Sequence, residues 1–172
     1  MKKFLTLLTF ALFALGLSAQ EVGASFVQNK TIKATGRVVR SEGIVFFQAP
    51  DVLRMNYLEP KGDYLIIDGA MLRTKTGAKQ MDVDTNKNAP MRNLRNTLIN
   101  CIIGDYEQVA EDNDADFAVE QKAGGKVVTV TARKQAARGY SQIVVEYNAQ
   151  NRPVRMVMDE FNGVSTEFLF EY

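Results

Sequence analysis

Histidine is absent from the 172 residues. With it go the usual general base beside a nucleophile and the commonest zinc ligand. A serine or threonine nucleophile has no imidazole to activate it, and neither a Ser-x-x-Lys arrangement nor a Gly-x-Ser-x-Gly elbow is present. Tryptophan is missing too, and Cys101 is the single cysteine, so no internal disulfide can form. An excess of one charge is lacking as well: 21 Lys and Arg face 20 Asp and Glu. A nucleic-acid binder would carry a basic face that this balance does not provide. No catalytic residue, metal site or cofactor motif is expected. Asp82-Val83-Asp84-Thr85-Asn86 opens like a calcium loop, but Lys87 stands at the bend and Asn93 at the twelfth position, where glycine and a bidentate glutamate belong. Asp112, Asp114 and Asp116 repeat the spacing and meet Ala123 at the twelfth position. Both read as solvated loops.

Long apolar runs are scarce. Phe4 to Leu17 follows the basic pair Lys2-Lys3 and leads to Leu17-Ser18-Ala19, the layout of a secretory signal peptide. The run is shorter than the roughly 20 residues of a membrane-spanning helix. Residues 1–19 are therefore expected to be cleaved after about Ala19, leaving residues 20–172 as one exported, periplasmic domain. Gln20 follows the cleavage point, so the cysteine that carries a lipoprotein's acyl chains is absent there.

What is present is a pattern of strands, then a helix, then strands. Phe26–Ile32, Gly43–Gln48 and the alternating Leu53, Met55 and Tyr57 predict strands. Tyr64–Ile67 and Met71–Lys75 flank the tight turn Asp68-Gly69. Pro90 fits a first helical turn, and Met91, Leu94, Leu98 and Ile102 recur at three- and four-residue spacing up to Gly104. Arg92, Arg95, Asn96 and Asn100 fall on the opposite, wet side. Cys101 lies near the apolar stripe and is expected to be buried and inert. Glu111–Asp116 reads as a loop; strands resume at Phe117–Lys122, Val127–Ala132, Gln142–Tyr147, Val154–Asp159 and Val164–Tyr172. Arg133, Lys134 and Arg138 read as a solvated hairpin end, with an acidic docking partner as the alternative.

The apolar faces carry the functional signal. Met55, Tyr57, Ile67, Met156, Met158, Phe168 and Phe170 fall on alternating strand positions. A face rich in methionine and aromatics can repack around a flexible ligand more easily than one of β-branched residues. The Met91–Ile103 helix is the only long amphipathic helix that could cover it, with Leu94, Leu98 and Ile102 as the lid's underside.

Gly43-x6-Pro50-x9-Pro60, then Ile67-Asp68-Gly69 and Leu72, resemble the LolA family of periplasmic lipoprotein carriers. Ala24-Ser25-Phe26-Val27-Gln28 and Asp159-x3-Gly163-x2-Thr166-x-Phe168 are similar to that family's first strand and late hairpin. The resemblance implies a mainly β fold with α: an unclosed antiparallel β-barrel, or half-barrel, covered by a helical lid. It further implies a hydrophobic cavity for lipoprotein or lipid acyl chains, an inner-membrane lipoprotein-release complex as donor and an outer-membrane acceptor. No enzyme activity, cofactor or nucleic acid is implied, and a monomer is expected. The family commonly has arginine before the first proline, where this chain has Ala49, and Arg54 lies on the next strand. Carriage of another lipid or hydrophobic ligand, or a structural role in the envelope, are the alternative readings.

Overall fold

The computed structural model describes residues 21–172, so the expected signal peptide lies outside the described residues. Among the described residues eleven strands follow in order: β1 (Glu21–Ile32), β2 (Arg37–Gln48), β3 (Val52–Glu59), β4 (Tyr64–Asp68), β5 (Met71–Thr76), β6 (Lys79–Asp84), β7 (Ala115–Lys122), β8 (Gly125–Ala132), β9 (Tyr140–Asn148), β10 (Pro153–Glu160) and β11 (Val164–Glu171). Helices α1 (Ala89–Ile103) and α2 (Tyr106–Asp112) separate β6 from β7.

All the strands join one antiparallel sheet in the order β6-β5-β4-β3-β2-β1-β11-β10-β9-β8-β7. The first and last strands of the chain thus pair at the centre, while β6 and β7 are left as two edges. The fold is an unclosed half-barrel covered by a helical lid. Period-two alternation decides which face is inside. On β2 and β3, Val45, Phe47, Leu53 and Met55 are buried while Ile44, Gln48, Arg54 and Asn56 are exposed. The register then stacks Phe26 against Gly43, Val45 against Met55 and Phe47 against Leu53. Gly43 is required at this point: a Cβ there would press on the Asn56 carbonyl oxygen and the Phe26 ring.

The helix begins and ends where its signals stand. The Asn88 side chain accepts from the Met91 N–H (3.2 Å), Pro90 sits in the first turn, and Gly104 adopts φ 81° at the C-terminus. Several expectations need correction. The acidic stretch Glu111–Asp116 is not simply a loop, because α2 runs into it and β7 begins at Ala115. Asp105 caps that helix by accepting from the Gln108 N–H (3.1 Å). The segment Asp82–Asn86 is not a loop either. Asp82, Val83 and Asp84 complete the edge strand β6 opposite β5, and Asp84 then caps the 3-10 turn Thr85–Lys87. β1 and β2 also reach further than their apolar runs, since Arg37–Glu42 pairs with Val27–Ile32 in a long polar hairpin arm.

Candidate functional site

The concave face of the sheet is lined by inward residues from nearly every strand. Met55, Ile67, Met156 and Met158 are no more than 3% exposed, and Phe168 and Phe170 are buried beside them. The Phe26 ring meets the Tyr57 ring edge-on at 5.2 Å, and the Phe168 and Phe170 rings stack at 6.0 Å. Tyr57 is half-buried, and its hydroxyl donates to Gln28 Oε1 at 2.6 Å. Burial, with a smaller push from Asp63, raises the Tyr57 phenol to about 12, so it stays a neutral donor. All seven residues picked from the sequence therefore share one face, which also holds Leu53, Leu72, Val128, Val130, Ile143 and Val145. Those six have the same period-two signal in the sequence and, like Ile67, lack the methionine or aromatic character of the rest.

The lid is a pair of helices. Leu98 is buried under α1, and Leu94 and Ile102 are half-buried against the same core. Thr97, Ile99 and Cys101 are buried as well, so the covered side of α1 is wider than the apolar stripe. The extra coverage comes from α2. Asn93 Nδ2 donates to the Asp112 carbonyl (2.9 Å), Asn96 Nδ2 to the Asp112 carboxylate (3.1 Å), and Asn113 Nδ2 to Thr97 Oγ1 (3.1 Å). The side of α1 expected to be wet is thus partly occupied by a second helix. Arg95 is half-buried and turned to the sheet, where it donates to the Gly69 carbonyl and Thr85 Oγ1, both at 3.2 Å.

At the other end, the Tyr147 hydroxyl donates to the Cys101 carbonyl at 2.7 Å inside the core. The Asp105 N–H, which would have continued the helical ladder to that carbonyl, turns to Asn100 O instead (2.9 Å). Tyr147 therefore satisfies an acceptor that the helix end leaves open. Burial pushes the Cys101 thiol up to about 12 and raises the Tyr147 phenol above its ordinary range. The cysteine is 1% exposed, and a protonated thiol so placed is a poor nucleophile.

Three spaces adjoin the lid, one of them an open pocket of about 350 Å³ where α1 meets α2, lined by Ile103, Tyr106 and Lys126. A void of about 20 Å³, room for about one water molecule, lies between Ile102 and Val22, Ala24, Phe47 and Phe170. A groove of about 810 Å³ opens at the other end of α1, with Met91, Leu94, Tyr140 and Phe161 as its apolar lining and Lys134 and Arg138 on its rim. It lies within the usual range of small-ligand sites, about 300–1,000 Å³. Arg133 is not part of a free basic cluster, because it pairs with Asp114 (3.2 Å) and Asp116 (2.9 Å). Among the described residues no three acidic, cysteine or histidine side chains gather as a metal site would require, and no helix is long and apolar enough to cross a membrane.

The family model described as outer membrane lipoprotein carrier protein LolA matches residues 18–172. Among curated proteins none matches this sequence. Similar solved structures include a LolA superfamily protein from Nitrosomonas europaea, 10% identical over 90% of this chain and 86% of that one, with a TM-score of 0.42. A DUF1329 family protein from Desulfovibrio piger is 10% identical over 90% and 85% of the two chains, at 0.41. The lipoprotein LppX of Mycobacterium tuberculosis is 11% identical over 87% and 84%, at 0.37.

Proposed function

The chain belongs to the outer membrane lipoprotein carrier family, LolA, and we propose that it is a periplasmic carrier of acylated cargo. In this reading residues 1–19 are removed as a signal peptide and residues 20–172 act as one carrier domain. The domain takes acyl chains of lipoproteins from an inner-membrane release complex and passes them to an outer-membrane acceptor. The observation that carries the reading is the methionine- and aromatic-rich concave face beneath a lid of two helices. Side-chain hydrogen bonds join α1 to Asp112 and Asn113, and Arg92, Arg95 and Tyr147 supply those between α1 and the rest of the fold.

Burying one methylene is worth about 0.8 kcal/mol, so a 16-carbon chain gains on the order of 10 kcal/mol on leaving water. A carrier must match part of that gain and still let go. The closed interior is filled largely by its own side chains, with a small void beside Ile102 and a groove beside Leu94 next to the lid. An acyl chain enters along Met91 and Leu94, displaces the α1–α2 pair and takes the place of Leu98 and Ile102 against the sheet. Uncovering the lid's underside opposes binding, which lowers the net affinity and makes handover possible.

Purification of the native protein from the cell envelope, followed by mass spectrometry of what accompanies it, tests the proposal. Acylated lipoprotein is the expected companion. A different lipid in its place would reassign the cargo, and a protein that neither retains lipid nor takes up a fluorescent fatty acid would be a structural envelope protein instead.

A further inference from the structure

One edge of the open sheet has the marks of a pairing surface. β7 has regular register with β8 along its whole length, with no bulge and no proline. After Ala115 every one of its residues is exposed. Phe117 and Val119 face the concave side, opposite the buried Val130 and Val128, yet they stay 43% and 36% exposed, even with the Tyr106 ring of α2 set 5.2 Å from the Phe117 ring. Edge strands of this kind are usually blunted or covered.

The turn fixes which backbone groups point outward. Lys122 pairs with Gly125 across the two-residue turn Ala123-Gly124, so those two form a hydrogen-bonded pair. Bonding alternates along an antiparallel strand. Glu120, Ala118 and Asp116 therefore bond β8, while Gln121, Val119 and Phe117 turn their N–H and C=O groups away from the sheet. A partner strand must match those three odd-numbered positions.

We propose that β7 pairs antiparallel with β7 of a second copy of this chain, in the register that sets Val119 opposite Val119. The two half-barrels then share one continuous sheet, against the monomer expected from the sequence. This register brings the outward groups of Phe117 and Gln121 together and places Val119 across from its own copy. On the outer face it sets Asp116 opposite Lys122 twice, once on each side of the two-fold axis. The neighbouring allowed registers fail on charge: one sets Asp116 opposite Glu120, and the other sets Glu120 opposite itself. The ions already in place extend across the join, since Asp116 pairs with Arg133 and Lys122 with Glu120. The two-fold axis closes the assembly.

Sedimentation equilibrium of the full mature chain over a concentration series is the direct test, with a monomer–dimer equilibrium expected. Lys122→Glu sets like charges opposite each other at both ends and raises the dimer dissociation constant about tenfold. Adding Asp116→Lys to that variant restores pairing. The register is read by oxidative cross-linking. A Val119→Cys variant faces its copy at a Cα separation of about 5.5 Å, within the disulfide range, and forms a covalent dimer. Ala118→Cys, exposed but facing Glu120 of the second copy, does not. A chain that stays monomeric at every concentration overturns the proposal. So does a dimer indifferent to Lys122→Glu, or Val119→Cys that joins a different envelope protein in preference to itself.

Discussion

At the scale of single residues, Tyr147 is the contact on which the closed lid turns. Its hydroxyl reaches across 46 positions of sequence to the Cys101 carbonyl, and Tyr147→Phe leaves that buried acceptor without a donor. The variant should lose about 1–3 kcal/mol in urea unfolding. It should also let a thiol reagent reach Cys101 faster under native conditions, since the cysteine sits on the covered side of the helix that Tyr147 holds. A stability loss with no change in labelling would mean that the bond supports the fold but does not govern opening. The burial of Cys101 was legible from its place beside the apolar stripe, whereas its partner was not, because no local pattern links a strand tyrosine to a helix carbonyl. A second residue-scale expectation concerns acid. Glu167 accepts from Arg155 Nε (2.8 Å) and from Asn29 (3.2 Å), and these bonds, the arginine's first, hold its carboxyl below the ordinary carboxylate value. A depressed folded-state pKa stabilises above the unfolded value of about 4.3. That contribution disappears as pH falls through the lower folded value. Glu167→Gln should flatten the acid limb of the stability curve and cost under about 1 kcal/mol at neutral pH, because the ion pair is partly exposed. An unchanged acid limb would remove Glu167 from the account.

At the scale of elements, α1 was legible and α2 was not, for a physical reason. Met91, Leu94, Leu98 and Ile102 span about three turns of one face, and Asn88, Pro90 and Gly104 mark the ends. The seven residues of α2 bury only Val109 and Ala110, and its acidic end looks like solvent-facing loop. Its stability comes from α1 through Asp112 and Asn113, which is tertiary information. β6 escaped similarly, because Lys79–Asp84 is an edge strand with four exposed residues and no alternation strong enough to register. The helix pair yields a contrast between two substitutions. Leu98→Asp buries a carboxylate under the lid and should lower stability by several kcal/mol. Leu94→Asp lies in the groove at half exposure and should leave the fold within about 1 kcal/mol, yet weaken uptake of a fluorescent fatty acid severalfold. Equal uptake by Leu94→Asp and the native chain would show that acyl chains do not pass along the groove.

At the scale of the whole molecule, the open sheet and its lid lead to an expectation that a rigid pocket would not share. The strands and the shared face of Met55, Tyr57, Ile67, Met156, Met158, Phe168 and Phe170 were legible from alternation, while the half-barrel was what the resemblance to the LolA family implied. The degree of filling could not, because side-chain packing between strands distant in sequence decides whether a concave face encloses space or closes on itself. In the closed state it closes on itself, with about 20 Å³ left beside Ile102. A bound acyl chain must therefore displace protein atoms, and α1 and α2 are the helices that lie over the face without belonging to its strand ladder. Binding stabilises the folded chain as a whole by mass action, about 2.7 kcal/mol at a ligand concentration one hundred times Kd, so Tm should rise with fatty-acid concentration. Hydrogen exchange should nonetheless quicken in α1 while the amides of β1, β10 and β11 stay as protected as before. A rise in Tm accompanied by slower exchange in α1 would place the ligand in the Leu94 groove beneath an undisturbed lid, and loading would then need no opening at all.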